Sequence, residues 1–122
     1  MARIMVVDDE ADIRESTKTI LESMGHKVVT AKDGSECLAK LRAGKKVDLV
    51  LLDFFMPGMS GREVLEQIKK DKKLAKNKVA LMTVARMSET GAAQMRRLGM
   101  VDFIPKLLDL DDFKKRITKL LK

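Results

Sequence analysis

Tryptophan and tyrosine are absent from this sequence, and phenylalanine occurs four times in 122 residues. A surface that stacks single-stranded bases needs aromatic rings, so such a platform is poorly supplied. Cysteine occurs once, as Cys37, which excludes an internal disulfide and a zinc cluster built on thiolates. Cys37 itself reads as a small apolar residue on a helix, without a redox role. The lone histidine, His26, falls in a turn behind Gly25 and is expected far from the acidic motifs. Proline occurs twice, and no segment is rich in Pro, Gly or Ser, so linkers and low-complexity tracts are missing. No apolar run exceeds four residues, too short to span a bilayer. The N-terminus turns acidic at Asp8 after its first apolar run, unlike a secretory signal. A cytoplasmic, soluble chain with no membrane contact, folded as one domain over residues 1–122, is expected.

Charge is plentiful and unbalanced. Lys and Arg outnumber Asp and Glu by 25 to 18, giving a formal net charge of +7. Basic chains often displace counterions from nucleic acid. Here the excess sits in two helical stretches, 69–78 and 114–122, and neither a zinc-finger spacing nor a helix-turn-helix accompanies it. The lysines therefore read as solvated helix faces, and nucleic acid is not an expected partner.

A single pattern recurs along the chain: a short apolar run, a turn, then a helical period. Residues 4–7 read as a first strand. Ile13, Thr17, Ile20, Leu21 and Met24 follow at helical spacing, with Gly25 as the stop. A second strand over 28–30 precedes a helix capped by Asp33 with Glu36, running to Gly44. Residues 47–52 form a third strand, apolar except at Asp48, as burial on both faces demands. Ser60 and Glu63 make a capping box before Val64, Leu65 and Ile68. A strand over 79–82, a helix from Ser88 to before Gly99, a short strand at 103–104 and a last helix capped by Asp109 complete the chain. Strict alternation predicts an α/β fold: a five-stranded, doubly wound parallel sheet of order 2-1-3-4-5 with five helices. Ligands of such sheets bind at the carboxyl ends of the strands, near the switch between the first and third.

Carboxylates gather at that switch. The first strand ends in Asp8, Asp9 and Glu10, and the third ends in Asp53. Like charges held close raise one another's pKa unless a cation neutralises them. One of Asp8 and Asp9 could simply cap the first helix, but Asp53 requires the same explanation as the pair. Oxygen ligands without His or thiolate suit a hard ion, magnesium or manganese. Thr83 closes the fourth strand and Lys106 the fifth, adding a hydroxyl and an ammonium at the same edge. That set suits a tetrahedral, multiply charged group held on a carboxylate, and phosphoryl is the obvious one. An aspartate can attack phosphorus as nucleophile, aided by positioning and charge neutralisation. Pro57-Gly58 turns the chain after Asp53, with Met56 and Met59 as packing and one of Phe54 and Phe55 beneath the helices.

Val6-Val7-Asp8-Asp9-Glu10, then the run from Leu52 to Gly61, then Thr83, then Gly99 through Lys106 together resemble the receiver domain of two-component response regulators. The resemblance spans the whole chain and is closest to stand-alone, chemotaxis-type receivers without an output domain. It implies a flavodoxin-like receiver fold and a phosphorylation-controlled signalling module, which is a phosphoacceptor rather than an enzyme acting on others. Asp53 would accept phosphate from a phosphohistidine of a sensor histidine kinase. Asp8 and Asp9 would hold Mg2+ together with Asp53 and the backbone carbonyl of Phe55. Thr83 would hydrogen-bond the phosphoryl group, Lys106 would pair with it, and Phe103 would be the aromatic switch. The face of the fourth helix, fifth strand and fifth helix would bind a downstream protein, or a second copy of the chain.

Two positions depart from the family pattern. Val84 follows Thr83 where a small residue is usual, and its methyls would narrow access. Leu107 follows Lys106 where Pro is usual and the bond is typically cis. A cis bond costs about 0.5–1 kcal/mol before Pro but about 2.5–4 kcal/mol before Leu. A trans bond is expected, with Lys106 aimed less directly at Asp53. The alternative is then a receiver-fold interaction protein that switches weakly or not at all. A phosphate-ester hydrolase of the haloacid-dehalogenase kind is disfavoured, because Phe55 stands where its second Asp would be. A nucleotide-binding module lacks its Gly-rich loop.

Overall fold

Alternation of side chains along each strand decides which helices cover which face of the sheet. The computed structural model describes residues 1–84, 87–106 and 109–122. Its elements are β1 (Arg3–Val7), α1 (Ala11–Ser23), β2 (Lys27–Ala31), α2 (Gly34–Arg42), β3 (Leu49–Asp53), α3 (Gly61–Lys70), β4 (Val79–Thr83), α4 (Glu89–Arg97), β5 (Asp102–Pro105) and α5 (Leu110–Leu120). The five strands are parallel in the order β2-β1-β3-β4-β5, as the pattern predicts.

Met5, Val7, Val50, Leu52, Val79 and Leu81 face one way, into a core closed by α2, α3 and α4. Ile4, Val6, Leu49, Leu51, Ala80 and Met82 face the other way, against Leu21 of α1 and Phe113 and Ile117 of α5. β3 and β4 are buried along their whole length, which is why they carry nothing charged before their final residue. On α3 the stripe of Val64, Leu65 and Ile68 is fully buried, contributing roughly 1.5–3 kcal/mol per side chain.

The helix starts follow the local chemistry. Asp33 accepts the Glu36 N–H at 2.8 Å, and the Glu36 carboxylate accepts the Lys32 N–H at 2.9 Å. Ser60, Ser88 and Asp109 cap α3, α4 and α5. Several boundaries differ from expectation by one or two residues, two of them with a clear cause. β3 begins at Leu49 rather than at 47, because the Asp48 carboxylate accepts the Arg3 N–H at 2.8 Å at the entrance to the sheet. β5 is longer, Asp102–Pro105, and lies at the sheet edge, where the missing N–H of Pro105 is tolerated. Cys37 is buried on α2, and burial pushes its thiol up to about 12, so it is an inert core residue. His26 accepts the Ala2 N–H through Nδ1 at 3.1 Å, beside the start of β1 and away from the strand ends that carry the acids.

One long-range brace has no signature in periodicity. Lys69 Nζ donates to the carbonyls of Ala75 and Asn77, both at 2.8 Å, and so fixes the loop between α3 and β4. Its methylenes pass against Gly99, which has φ +112°; a Cβ there would meet Lys69 Cε at 2.7 Å. Gly99→Ala therefore combines a left-handed strain with a side-chain displacement. It is expected to lower stability by about 1–2 kcal/mol in urea unfolding with an unchanged m-value. A neutral effect would show that the Lys69 stem gives way freely.

Candidate functional site

Parallel pairing brings the carboxyl ends of β1, β3, β4 and β5 to one edge. Val7 is opposite Leu52, Asp53 opposite Met82, and Thr83 opposite Pro105. Residues at and just after these positions therefore converge, although they span most of the chain. Asp8, Asp53 and Thr83 are each only 3% exposed, whereas Asp9 faces solvent. Carboxylate oxygens of Asp8, Asp9 and Asp53 lie within 4.8 Å of one another. Lys106 Nζ reaches between two of them, 2.9 Å from Asp8 Oδ2 and 3.1 Å from Asp53 Oδ2.

Sequence reasoning expected Lys106 to point less directly at Asp53; the structure corrects this. The ammonium is almost wholly buried against both acids. Two uncompensated buried carboxylates would be far costlier than the stretch of one flexible stem. The Lys106–Leu107 bond, expected to be trans, lies outside the described residues. Val84 does not fill the space beside Asp53: its side chain is 64% exposed at the rim. Phe55 is 58% exposed, while Phe54 packs against the core and meets the Phe55 ring edge-on at 4.9 Å. Met56 is buried and Met59 is partly buried against the same core, as expected.

Backbone donors hold the acids in place. Asp8 Oδ1 accepts the Glu10 N–H at 2.9 Å, and Asp53 Oδ1 accepts the Phe55 N–H at 3.3 Å. Neither Asp8 nor Asp9 caps α1: its N-cap is Glu10, with no side-chain cap bond. Capping of α1 therefore does not account for the aspartate pair.

Two residues support the site in ways the sequence did not reveal: Arg14, and Gly61, which closes the run matched from Leu52. Arg14 Nη1 donates to the Asp8 carbonyl at 2.7 Å and ties the end of β1 to α1. Gly61 packs so close that a Cβ would lie 2.6 Å from the Asp53 carbonyl oxygen and 2.7 Å from Phe54 Cα. Its place directly behind the Ser60 cap was the available signal. Phe103 is partly buried against the core below α4, and its carbonyl accepts Arg116 Nη1 of α5 at 3.1 Å.

The electrostatics follow from burial. The Asp53 carboxyl is pushed up to about 6: burial raises it most, the Lys106 hydrogen bond opposes that rise, and the Asp8 charge adds to it. For Lys106 burial acts downward, but the hydrogen bonds and charges of Asp8 and Asp53 outweigh it, and its pKa is raised. The donor set fits a hard divalent cation: all oxygen, converging, with one carboxylate open to water. Such an ion would compete with the Lys106 ammonium for the same charge.

A doubly wound sheet with acids, a hydroxyl and a lysine at its switch point defines the class of protein. The profile of the response regulator receiver domain matches residues 4–118, and the chain belongs to that family. It is 33% identical to PilH of Pseudomonas aeruginosa over 121 residues, covering 99% of this chain and 98% of that protein. The structure of the chemotaxis protein CheY4 of Vibrio cholerae superposes with a TM-score of 0.90 at 26% identity, covering 99% of both chains. TrrA of Thermotoga maritima, solved in complex with Mg2+ and BeF, gives a TM-score of 0.84 at 39% identity, covering 99% of this chain and 100% of that one. The chain spans 17% of the length of one curated relative and about half of several others. Among the described residues no helix is long and apolar enough to cross a membrane.

The raised Asp53 pKa sets a testable pH dependence. A carboxyl whose folded pKa lies above its ordinary value of 3.8 contributes stability that is full below that value and lost as pH rises through about 6. Asn cannot ionise, and Lys106 keeps its bond to Asp8. Without divalent cations, Asp53→Asn should melt a few degrees above the wild type at pH 7–8, and the gap should close towards pH 4. Thermal unfolding followed by circular dichroism decides this, and a gap independent of pH would contradict it.

Proposed function

We propose that the protein is a phosphorylation-controlled signalling module whose phosphoacceptor is Asp53. The observation that carries this reading is Lys106 Nζ held by both Asp8 and Asp53 beside a third carboxylate, Asp9. A buried nucleophile, an oxygen donor set for a cation and a fixed counter-charge are what attachment of a phosphoryl group requires. An Asp53 carboxylate oxygen attacks phosphorus of a phosphohistidine on a sensor kinase, the P–N bond breaks, and the imidazole leaves. Mg2+, or Mn2+, held by Asp8, Asp9, Asp53 and the Phe55 carbonyl would supply neutralisation of phosphoryl charge. Lys106 pairs with the phosphoryl oxygens, and the Thr83 hydroxyl donates to them. The protein modifies only itself, and it works in the cytoplasm.

The signal leaves through α4, β5 and α5. Phe103, Val84, Met87 and Arg116 border a cleft of about 650 Å3 on that face. A Thr83 drawn towards the phosphoryl group would change the space available to Phe103 and so reshape the cleft. The occupant is a downstream protein or a second copy of the chain. The complete polar set favours switching over a fold kept for interaction alone.

Incubation with acetyl phosphate and magnesium should add one acid-labile and base-labile phosphoryl group, absent in Asp53→Asn, by mass spectrometry. Equal labelling of both proteins would refute the assignment. Calorimetric titration of Mg2+ should weaken about tenfold or more in Asp9→Ala, a loss of about 1.4 kcal/mol or more. An unchanged titration would remove Asp9 from the metal site. Phe103→Ala should keep labelling at Asp53 but lose phosphate-dependent partner binding; unaltered binding would move the output to another face.

A further inference from the structure

At the pole opposite the carboxylates, the loop after α2 and the loop after α3 enclose a cleft of about 760 Å3. Lys45 and Lys46 border it from the first loop, and Lys73 and Lys76 from the second. All four are exposed, and no carboxylate among the described residues lies within salt-bridge distance of them. Arg42, also on the border, is joined to Asp71 at 3.7 Å. Beneath this rim the floor of the cleft has an apolar part, the partly exposed Val47 with the edges of the buried Leu41 and Leu74.

Helix dipoles account for part of this charge. Lys40 and Arg42 end α2, and Lys69 and Lys70 end α3, where cations offset the negative helix C-terminus. The four rim lysines lie beyond those last turns, in loops. Asp71 is taken up by Arg42, so Asp48 alone on the border offsets the four lysines in part, and the surplus positive charge attracts an external anion.

We infer that this cleft docks an acidic segment of a partner protein, one that places an apolar side chain between carboxylates. The apolar side chain enters over Leu41, Val47 and Leu74, and the flanking carboxylates meet the lysines of the two loops. Duplex nucleic acid suits the site less well, because a broad rod cannot enter the cleft and offers no apolar side chain to its floor. Symmetric pairing of two copies through this face is disfavoured, because the same lysines would meet one another. The inference is independent of phosphoryl chemistry, since none of these residues belongs to the Asp53 site.

The probe is a fluorescein-labelled synthetic peptide in which Leu alternates with paired Glu. Fluorescence anisotropy should show saturable binding that weakens with salt, and NMR should shift the methyl signals of Leu41, Val47 and Leu74. Lys46→Glu combined with Lys76→Glu should weaken binding about tenfold or more. A circular-dichroism spectrum and melting temperature close to those of the wild type verify that this double variant folds. The same peptide with Ser for Leu should bind less tightly. Lack of saturation with the wild type, or equal affinity in the double variant, would overturn the inference. Equal binding of the Ser peptide and of duplex DNA would replace it with a general polyanion surface.

Discussion

One ammonium between two buried carboxylates governs the carboxyl edge of the sheet. At about 3 Å, each attraction of Lys106 to Asp8 and Asp53 is of order 5 kcal/mol at an effective dielectric of about 20. Taking the three charged groups out of water costs several kcal/mol each, so the net stabilisation is small. What the arrangement provides is position. The ends of β1, β3 and β5 are drawn to a common point, and the acids stay ionisable where their own repulsion would otherwise protonate one of them. The edge holds excess negative charge that one lysine only partly offsets, which makes it receptive to a divalent cation and, through that cation, to a phosphoryl group.

Most of the fold was legible because the relevant physics is local. Strands buried on both faces cannot alternate apolar and polar residues, and 49–52 and 79–82 do not. Caps at Asp33, Ser60, Ser88 and Asp109 need only a side-chain oxygen two or three residues before an N–H, a spacing visible in the chain itself. The order of the strands then follows from the alternation of element types, and the order places Asp8 beside Asp53. The acidic half of the site was readable for that reason.

The remainder depends on distances across the fold. The aim of Lys106 was misjudged because it was argued from the peptide bond that follows it, whereas burial of two acids decides where the ammonium goes. Arg14 and Gly61 act through backbone atoms of Asp8, Asp53 and Phe54, and no periodicity or capping rule marks a side chain that serves a neighbouring carbonyl. Lys69 is similar. It looks like one more solvated lysine in 69–78, yet its ammonium secures two carbonyls and its stem fills the space left by Gly99.

The same topology separates charge along the molecule. Every helix of a parallel α/β sheet starts at the carboxyl edge of the strands and ends at the opposite edge, so the dipoles add in one direction. Acids in the first turns of α1, α2, α3, α4 and α5 and bases in the last turns of α2, α3, α4 and α5 follow that field. Positive helix N-termini thus surround the site, which lowers the cost of gathering Asp8, Asp9 and Asp53 there and would favour a phosphoryl group further. At the far edge the field is met by lysines, and the loops add more than the helix ends require. Under the proposed function, a kinase reaching Asp53 would approach the acidic pole and leave the basic pole accessible. Chemistry at one end and charge recognition at the other are therefore sterically compatible within a chain of 122 residues.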